Sequence, residues 1–165
     1  MKMKRLLLFL GILSLVLALS PAAYSQNATG NLGVYANAIE VCHVRTTPIT
    51  FIDYDNSDQT AYGRVEVNCT FDTDYSIALN EGIHPDTVNS IRQMSDGHGH
   101  RLAYEIYDPS DNLWGDDTGV YGTEYGILTG NGNWQTYNAR GEVAGLQGVA
   151  PGDYSDTVKV TIIIE

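Results

Sequence analysis

The residues of this 165-residue chain best equipped for chemistry are four histidines, two cysteines and 20 carboxylates. His98-Gly99-His100, with His84 upstream, is the strongest metal-ligating candidate. Alternate residues of an extended strand point the same way, so His98 and His100 can share an ion. No third ligand follows at a useful spacing, and a polar glycine-rich turn accounts for the same residues. No metal and no cofactor is expected. Asp53-Tyr54-Asp55-Asn56-Ser57-Asp58 resembles the opening of a calcium loop. Asp58 stands where that loop needs glycine, and Arg64 where it needs a bidentate glutamate, so a solvated acidic turn is expected instead. Carboxylates are numerous enough for a glycosidase pair, but none is marked as buried or raised in pKa. Nucleophile elbow, HExxH and phosphate-binding glycine loop are all missing. The chain is read as no enzyme. Trp114 and Trp134 can stack on a sugar or a partner, but core positions are the expected role for large aromatics in a small sandwich.

The first residues read as an export signal. Lys2, Lys4 and Arg5 precede the apolar run Leu6 to Leu17, and Ala23-Tyr24-Ser25 offers small residues for cleavage. Residues 1–25 are therefore assigned to a signal peptide and the mature chain to 26–165. Without Lys2, Lys4 and Arg5, six basic residues face 20 acidic ones, a net charge of −14. Such a surface argues against nucleic acid as a partner and suits a basic protein. It also slows aggregation. In an exported chain the even pair Cys42 and Cys69 is expected to form a disulfide. The sequons Asn27-Ala28-Thr29 and Asn68-Cys69-Thr70 matter only in a eukaryotic secretory pathway.

Short alternating runs between turn signals must position these residues. No helix of convincing length is present, and the pattern predicts an all-β sandwich or barrel. Strands are predicted over 29–39, over 41–52 with an interruption near Pro48, over 63–71, and around Tyr75, Ile77 and Leu79. Others are predicted around Leu102, Tyr104 and Ile106, over 134–143, and over 154–165. Residues 81–100 read as a long connection, and 115–132 carry no clear period. In the last strand Val158, Val160, Ile162 and Ile164 alternate with Lys159, Thr161, Ile163 and Glu165. No residues follow it here to supply a further strand, so its apolar edge is expected to find a partner in another molecule.

Several motifs then fall in a telling order. The early pair Cys42 and Cys69 is followed by Tyr75-Ser76-Ile77-Ala78-Leu79-Asn80, Arg92-Gln93-Met94 and Leu102-Ala103-Tyr104-Glu105-Ile106-Tyr107. Leu113-Trp114-Gly115-Asp116 comes next. The chain closes on Val149-Ala150-Pro151-Gly152-Asp153-Tyr154-Ser155-Asp156-Thr157-Val158-Lys159-Val160-Thr161. This order resembles the spore coat protein U family, which includes subunits of archaic (Csu-type) chaperone–usher pili. The resemblance covers nearly the whole mature chain. It implies an incomplete immunoglobulin-like β-sandwich completed by donor-strand complementation, the addition of a partner's strand to an open sheet edge. It further implies three kinds of partner: a periplasmic chaperone, an outer-membrane usher and neighbouring pilin subunits. Residues 26–40 would be the donor segment and 41–165 the pilin domain. Leu32, Val34, Ala36 and Ala38 match the donor positions, and Val158, Val160, Ile162 and Ile164 match the strand bordering the groove. Ala36 and Ala38 are small for donor positions, so either backbone bonds supply more of the grip or the groove is shallow there.

The leading expectation is a structural subunit of an extracellular, cell-surface fibre that is exported through the periplasm and serves adhesion or biofilm formation. The alternative is a self-complete secreted β-sandwich that binds a carbohydrate or a surface or coat protein. In it, residues 29–39 would close their own sandwich.

Overall fold

The computed structural model describes residues 27–165, and the expected signal peptide at 1–25 lies outside them. The described residues up to Ala36 and the residues Asn37–Glu165 form two units. Residues 27–41 belong to no strand. That corrects the strand predicted over 29–39: an alternating segment becomes a strand only where an edge accepts its backbone bonds.

Among the described residues, Asn37–Glu165 holds eight strands. They are β1 (Cys42–Thr47), β2 (Gln59–Cys69), β3 (Asp74–Leu79), β4 (Arg92–Ser95), β5 (Arg101–Tyr107), β6 (Tyr125–Thr129), β7 (Gln135–Val143) and β8 (Val160–Ile164). They form a five-stranded sheet in the order β1-β2-β7-β5-β4 and a three-stranded sheet in the order β6-β3-β8. All the strand pairings are antiparallel. The chain is all-β, an immunoglobulin-like sandwich.

Period-two alternation explains the large sheet. In β2, Val65, Val67 and Cys69 point inward; in β5, Leu102, Tyr104 and Ile106 do so; in β7, Ala139 and Val143. β3 is the middle strand of the small sheet and is buried from Tyr75 to Leu79, including Ser76. Trp114 lies at the centre of the core. Its indole N–H donates to the Ile77 carbonyl at 2.8 Å, and its ring meets Tyr125 edge-on at 5.8 Å. Tyr125 in turn meets Tyr137 at 5.6 Å, and the Tyr75 and Tyr137 hydroxyls lie 2.7 Å apart. Cys42 and Cys69 form a disulfide between directly opposed residues, fastening the edge strand β1 to β2.

Four predicted stretches change. The strand predicted over 41–52 stops at Thr47, because Pro48 has no N–H with which to continue a ladder. The connection predicted over 81–100 contains β4, which lacks any apolar alternation, and β6 lies in the glycine-rich stretch. The final strand starts at Val160 rather than 154, although Ser155 exchanges two backbone bonds with Ser95 at 2.9 and 3.0 Å.

Candidate functional site

Two backbone segments flank an opening in the sandwich. On one side runs the strandless stretch 48–54, which follows β1; on the other runs 152–158, which leads into β8. Between them lies a groove of about 620 Å³. Its floor is the apolar interior: Val65, Leu79, Leu102, Tyr104, Ile106 and Ala139 all line it and all are buried core residues. Among the described residues β8 pairs with β3 alone, in the register Tyr75 to Ile164 through Leu79 to Val160. At the ends of that ladder the Asn80 N–H donates to the Lys159 carbonyl at 3.1 Å, and the Glu165 N–H donates to the Asp74 carbonyl at 3.0 Å. The other edge of β8 therefore offers its donors and acceptors to an incoming strand.

A buried polar cluster holds the 152–158 wall in place. The Asp156 carboxylate is 2% exposed. It accepts the Tyr104 hydroxyl at 2.6 Å and the Ile83 N–H at 2.9 Å, with His84 Nδ1 at 3.5 Å. Burial, together with this bond to Asp156, pushes the Tyr104 hydroxyl well above the usual tyrosine pKa. Beside it the Arg92 guanidinium, on a residue only 3% exposed, donates to the carbonyls of Leu79 (3.1 Å), Asn80 (2.9 Å) and Trp114 (2.9 Å). Loss of solvent lowers its pKa from the ordinary arginine value. Asn80 ties the cluster to the last strand, its side-chain oxygen accepting the Lys159 N–H at 2.7 Å. Sequence reasoning missed this cluster; its available signal was Asp156 inside the closing motif, two residues before an apolar alternation.

The expected site residues separate. Val158 and Val160 line the groove. Ile162 is half-buried against the core, whereas Ile164 is 42% exposed and lies off the groove. Leu32 and Val34 are 89% and 85% exposed, and Ala36 and Ala38 are exposed as well. Trp114 is a core residue as expected. Trp134 is not: it is 41% exposed, with the Arg45 guanidinium 4.2 Å above its ring. His98 and His100 occupy the turn between β4 and β5. There His100 Nδ1 lies 2.5 Å from Asp96, which also accepts the His98 N–H at 2.8 Å. The imidazole contact and the loop N–H groups hold the Asp96 carboxyl down to about 2. Among the described residues, no group of three or more His, Cys, Asp or Glu side chains is placed to hold a metal.

A profile of the Spore Coat Protein U domain matches residues 28–161. The chain belongs to the Spore Coat Protein U domain family. That match spans both the exposed segment before Cys42 and the motif that builds the groove wall. Comparison with curated proteins returns no match. Among solved structures, the Spore Coat Protein U chain is similar to one from the CsuC–CsuE chaperone–tip adhesion subunit pre-assembly complex of the archaic chaperone–usher Csu pili of Acinetobacter baumannii. The TM-score is 0.54 at 21% identity, over 76% of this chain and 40% of that one. The chain thus spans well under half the length of that relative, and the likeness is one of fold. A second similar structure is the E. coli Hda pilus minor tip subunit HdaB, with a TM-score of 0.44 at 18% identity, over 73% of this chain and 79% of that one.

Proposed function

We propose that the chain is a structural subunit of an extracellular fibre built by the chaperone–usher route. Its groove receives an extended segment from another polypeptide: first a strand of a periplasmic chaperone, then, at an outer-membrane usher, residues 29–39 of the next subunit. The observation that carries this reading is the groove of about 620 Å³, floored by core side chains, between the strandless segments 48–54 and 152–158. An inserted strand covers core side chains and satisfies the free edge of β8 in one step. Family membership and the fold shared with a chain of the Csu chaperone–tip subunit complex support the same reading. The fibre serves surface attachment or biofilm formation.

The exposed segment has the chemistry of a donor. Leu32, Val34, Ala36 and Ala38 fall on one face when extended, and burying Leu32 and Val34 contributes about 1.5–3 kcal/mol each. The net charge of −14 favours a chaperone that presents basic residues, and their association slows as salt screens the attraction.

The test is polymer formation. The mature chain is expected to give a ladder of SDS-resistant oligomers in unboiled samples, and a chain lacking residues 26–39 is expected to give a monomer. A ladder that survives the deletion would count decisively against strand exchange. A stable, single mature chain that binds glycans would favour a self-complete module instead.

A further inference from the structure

We infer that Ile49 and Phe51 are built-in fillers that make one stretch of the groove shallow, selecting a donor strand that carries small residues there. The donor that fits is residues 29–39 of a second copy of this chain, with bulky Leu32 and Val34 followed by Ala36 and Ala38. This inference rests on the strand-acceptor reading above.

The fillers sit in a notch. On the inner face of the five-stranded sheet, Ala61 of β2 opposes Gly141 of β7, and Gly63 opposes Ala139. The four smallest side chains of the two strands thus lie together where a sandwich interior ordinarily packs branched residues. Glycine inside a strand weakens it and marks a close approach of other groups. The approaching groups here are Ile49 and Phe51. A Cβ at position 63 would lie 2.8 Å from Ile49 Cγ1 and 2.6 Å from the Thr47 carbonyl oxygen; one at 141 would lie 2.7 Å from Ile49 Cγ2 and 2.9 Å from Phe51 Cζ. Both residues are half-buried, pack on the core and line the groove. The stretch 48–54 is in no strand, so side-chain seating rather than a ladder holds it on the sheet.

Groove depth follows from this seating. Away from the notch the floor is the core itself, deep enough for leucine or valine. Above the notch Ile49 and Phe51 already fill the space, and the floor is raised by their side chains. The four donor positions run over seven residues, roughly 20 Å when extended, about the reach of 48–54. A donor with four bulky residues overpacks the raised end, whereas alanine at two successive inward positions clears it. The small residues at 36 and 38 are then a match to the groove rather than a weakness.

The experiment uses the full mature chain and follows growth of the SDS-resistant ladder. Ala36→Leu with Ala38→Leu is expected to slow growth by about tenfold or more, through overpacking. Adding Ile49→Ala to that chain is expected to restore most of the rate, as room opens under the new leucines. Gly141→Ala alone is expected to slow growth by lifting Ile49 into the groove, and Ile49→Ala is expected to relieve that too. Melting curves and disulfide content report whether each variant folds; where Ile49→Ala folds poorly, Ile49→Val with Phe51→Leu tests the same ordering. Leucine-bearing chains that grow at the wild-type rate, or a slow chain that no smaller residue at 49 or 51 restores, would overturn the inference. Either result leaves strand exchange standing so long as deletion of 26–39 abolishes the ladder; a ladder that survives that deletion overturns both.

Discussion

Arg92 is the residue whose role departs furthest from its type. A guanidinium buried among three carbonyls replaces water for all of them, and its planar fork reaches all three at once. Arg92→Ala is expected to leave the carbonyls of Leu79, Asn80 and Trp114 unsatisfied and to destabilise the fold by about 3 kcal/mol in urea titration. Arg92→Lys should recover little, since an ammonium group cannot reproduce the fork. The tyrosines set an alkaline limit. Burial raises the pKa of both Tyr104 and Tyr75, with bonds to Asp156 and Tyr137 adding to it. A folded-state pKa above the unfolded value means the associated stability is complete below about pH 10 and falls as pH rises beyond it. Unfolding midpoints should drop across that range, with the share of tyrosinate absorbance that belongs to buried tyrosines withheld until the chain unfolds. Asp96 behaves oppositely: its pKa is depressed to about 2, so what it contributes to the β4–β5 turn is present above about pH 4 and is lost as pH falls towards 2. Protection of the His98 and His100 amides against exchange, relative to the free-peptide rate at each pH, should fall over that interval. None of these roles was legible from residue type. Arg92 falls in the stretch that reads as a long connection, and only the approach of three distant carbonyls makes it a core residue.

At the scale of elements, the edges matter most. The disulfide locks β1, the strand that leads into the 48–54 wall, onto β2. Replacing both cysteines with serine is expected to cost about 3–4 kcal/mol and to fray β1, so donor capture should fall further than stability alone predicts. Comparing the ladder with the urea midpoint checks this. On the opposite wall, Val160→Lys is expected to block strand capture while leaving the ladder of β8 with β3 intact, because position 160 is half-buried and lines the groove. Strands with clean alternation, such as Leu102-Ala103-Tyr104-Glu105-Ile106, were readable from sequence because one face is core and the other solvent. β4 was not, because its sequence Arg-Gln-Met-Ser has no period to read. Residues 48–52 were misread for the opposite reason: their apolar side chains suggested a strand, but beyond Pro48 they serve as fillers.

The whole molecule joins an open groove to a strongly acidic surface. Residues 26–165, with a net charge of −14, repel their own copies over a Debye length, which protects an unfilled groove from casual pairing. Raising salt should therefore accelerate disordered aggregation of subunits without a chaperone while slowing the capture of subunits by a basic chaperone. Light scattering and association rates measured over one salt series test both arms, and rates flat with salt would remove the electrostatic contribution. In the proposed strand exchange the pairing of acceptor and donor is asymmetric and head-to-tail, and its repetition gives an open filament where the rotation between subunits does not close a ring.

Sequence by itself determined the all-β class, the disulfide partners, the apolar alternation of the last strand and the family resemblance. Each of these follows from local period, spacing or motif, which a linear string carries intact. Tertiary structure alone decided that Ile49 and Phe51 sit on Gly63 and Gly141, that Asp156 meets Tyr104, and that among the described residues β8 pairs with β3 alone. Those facts depend on which residues far apart in the chain come within a few ångströms, and on backbone bonds left unmade, neither of which any local pattern encodes.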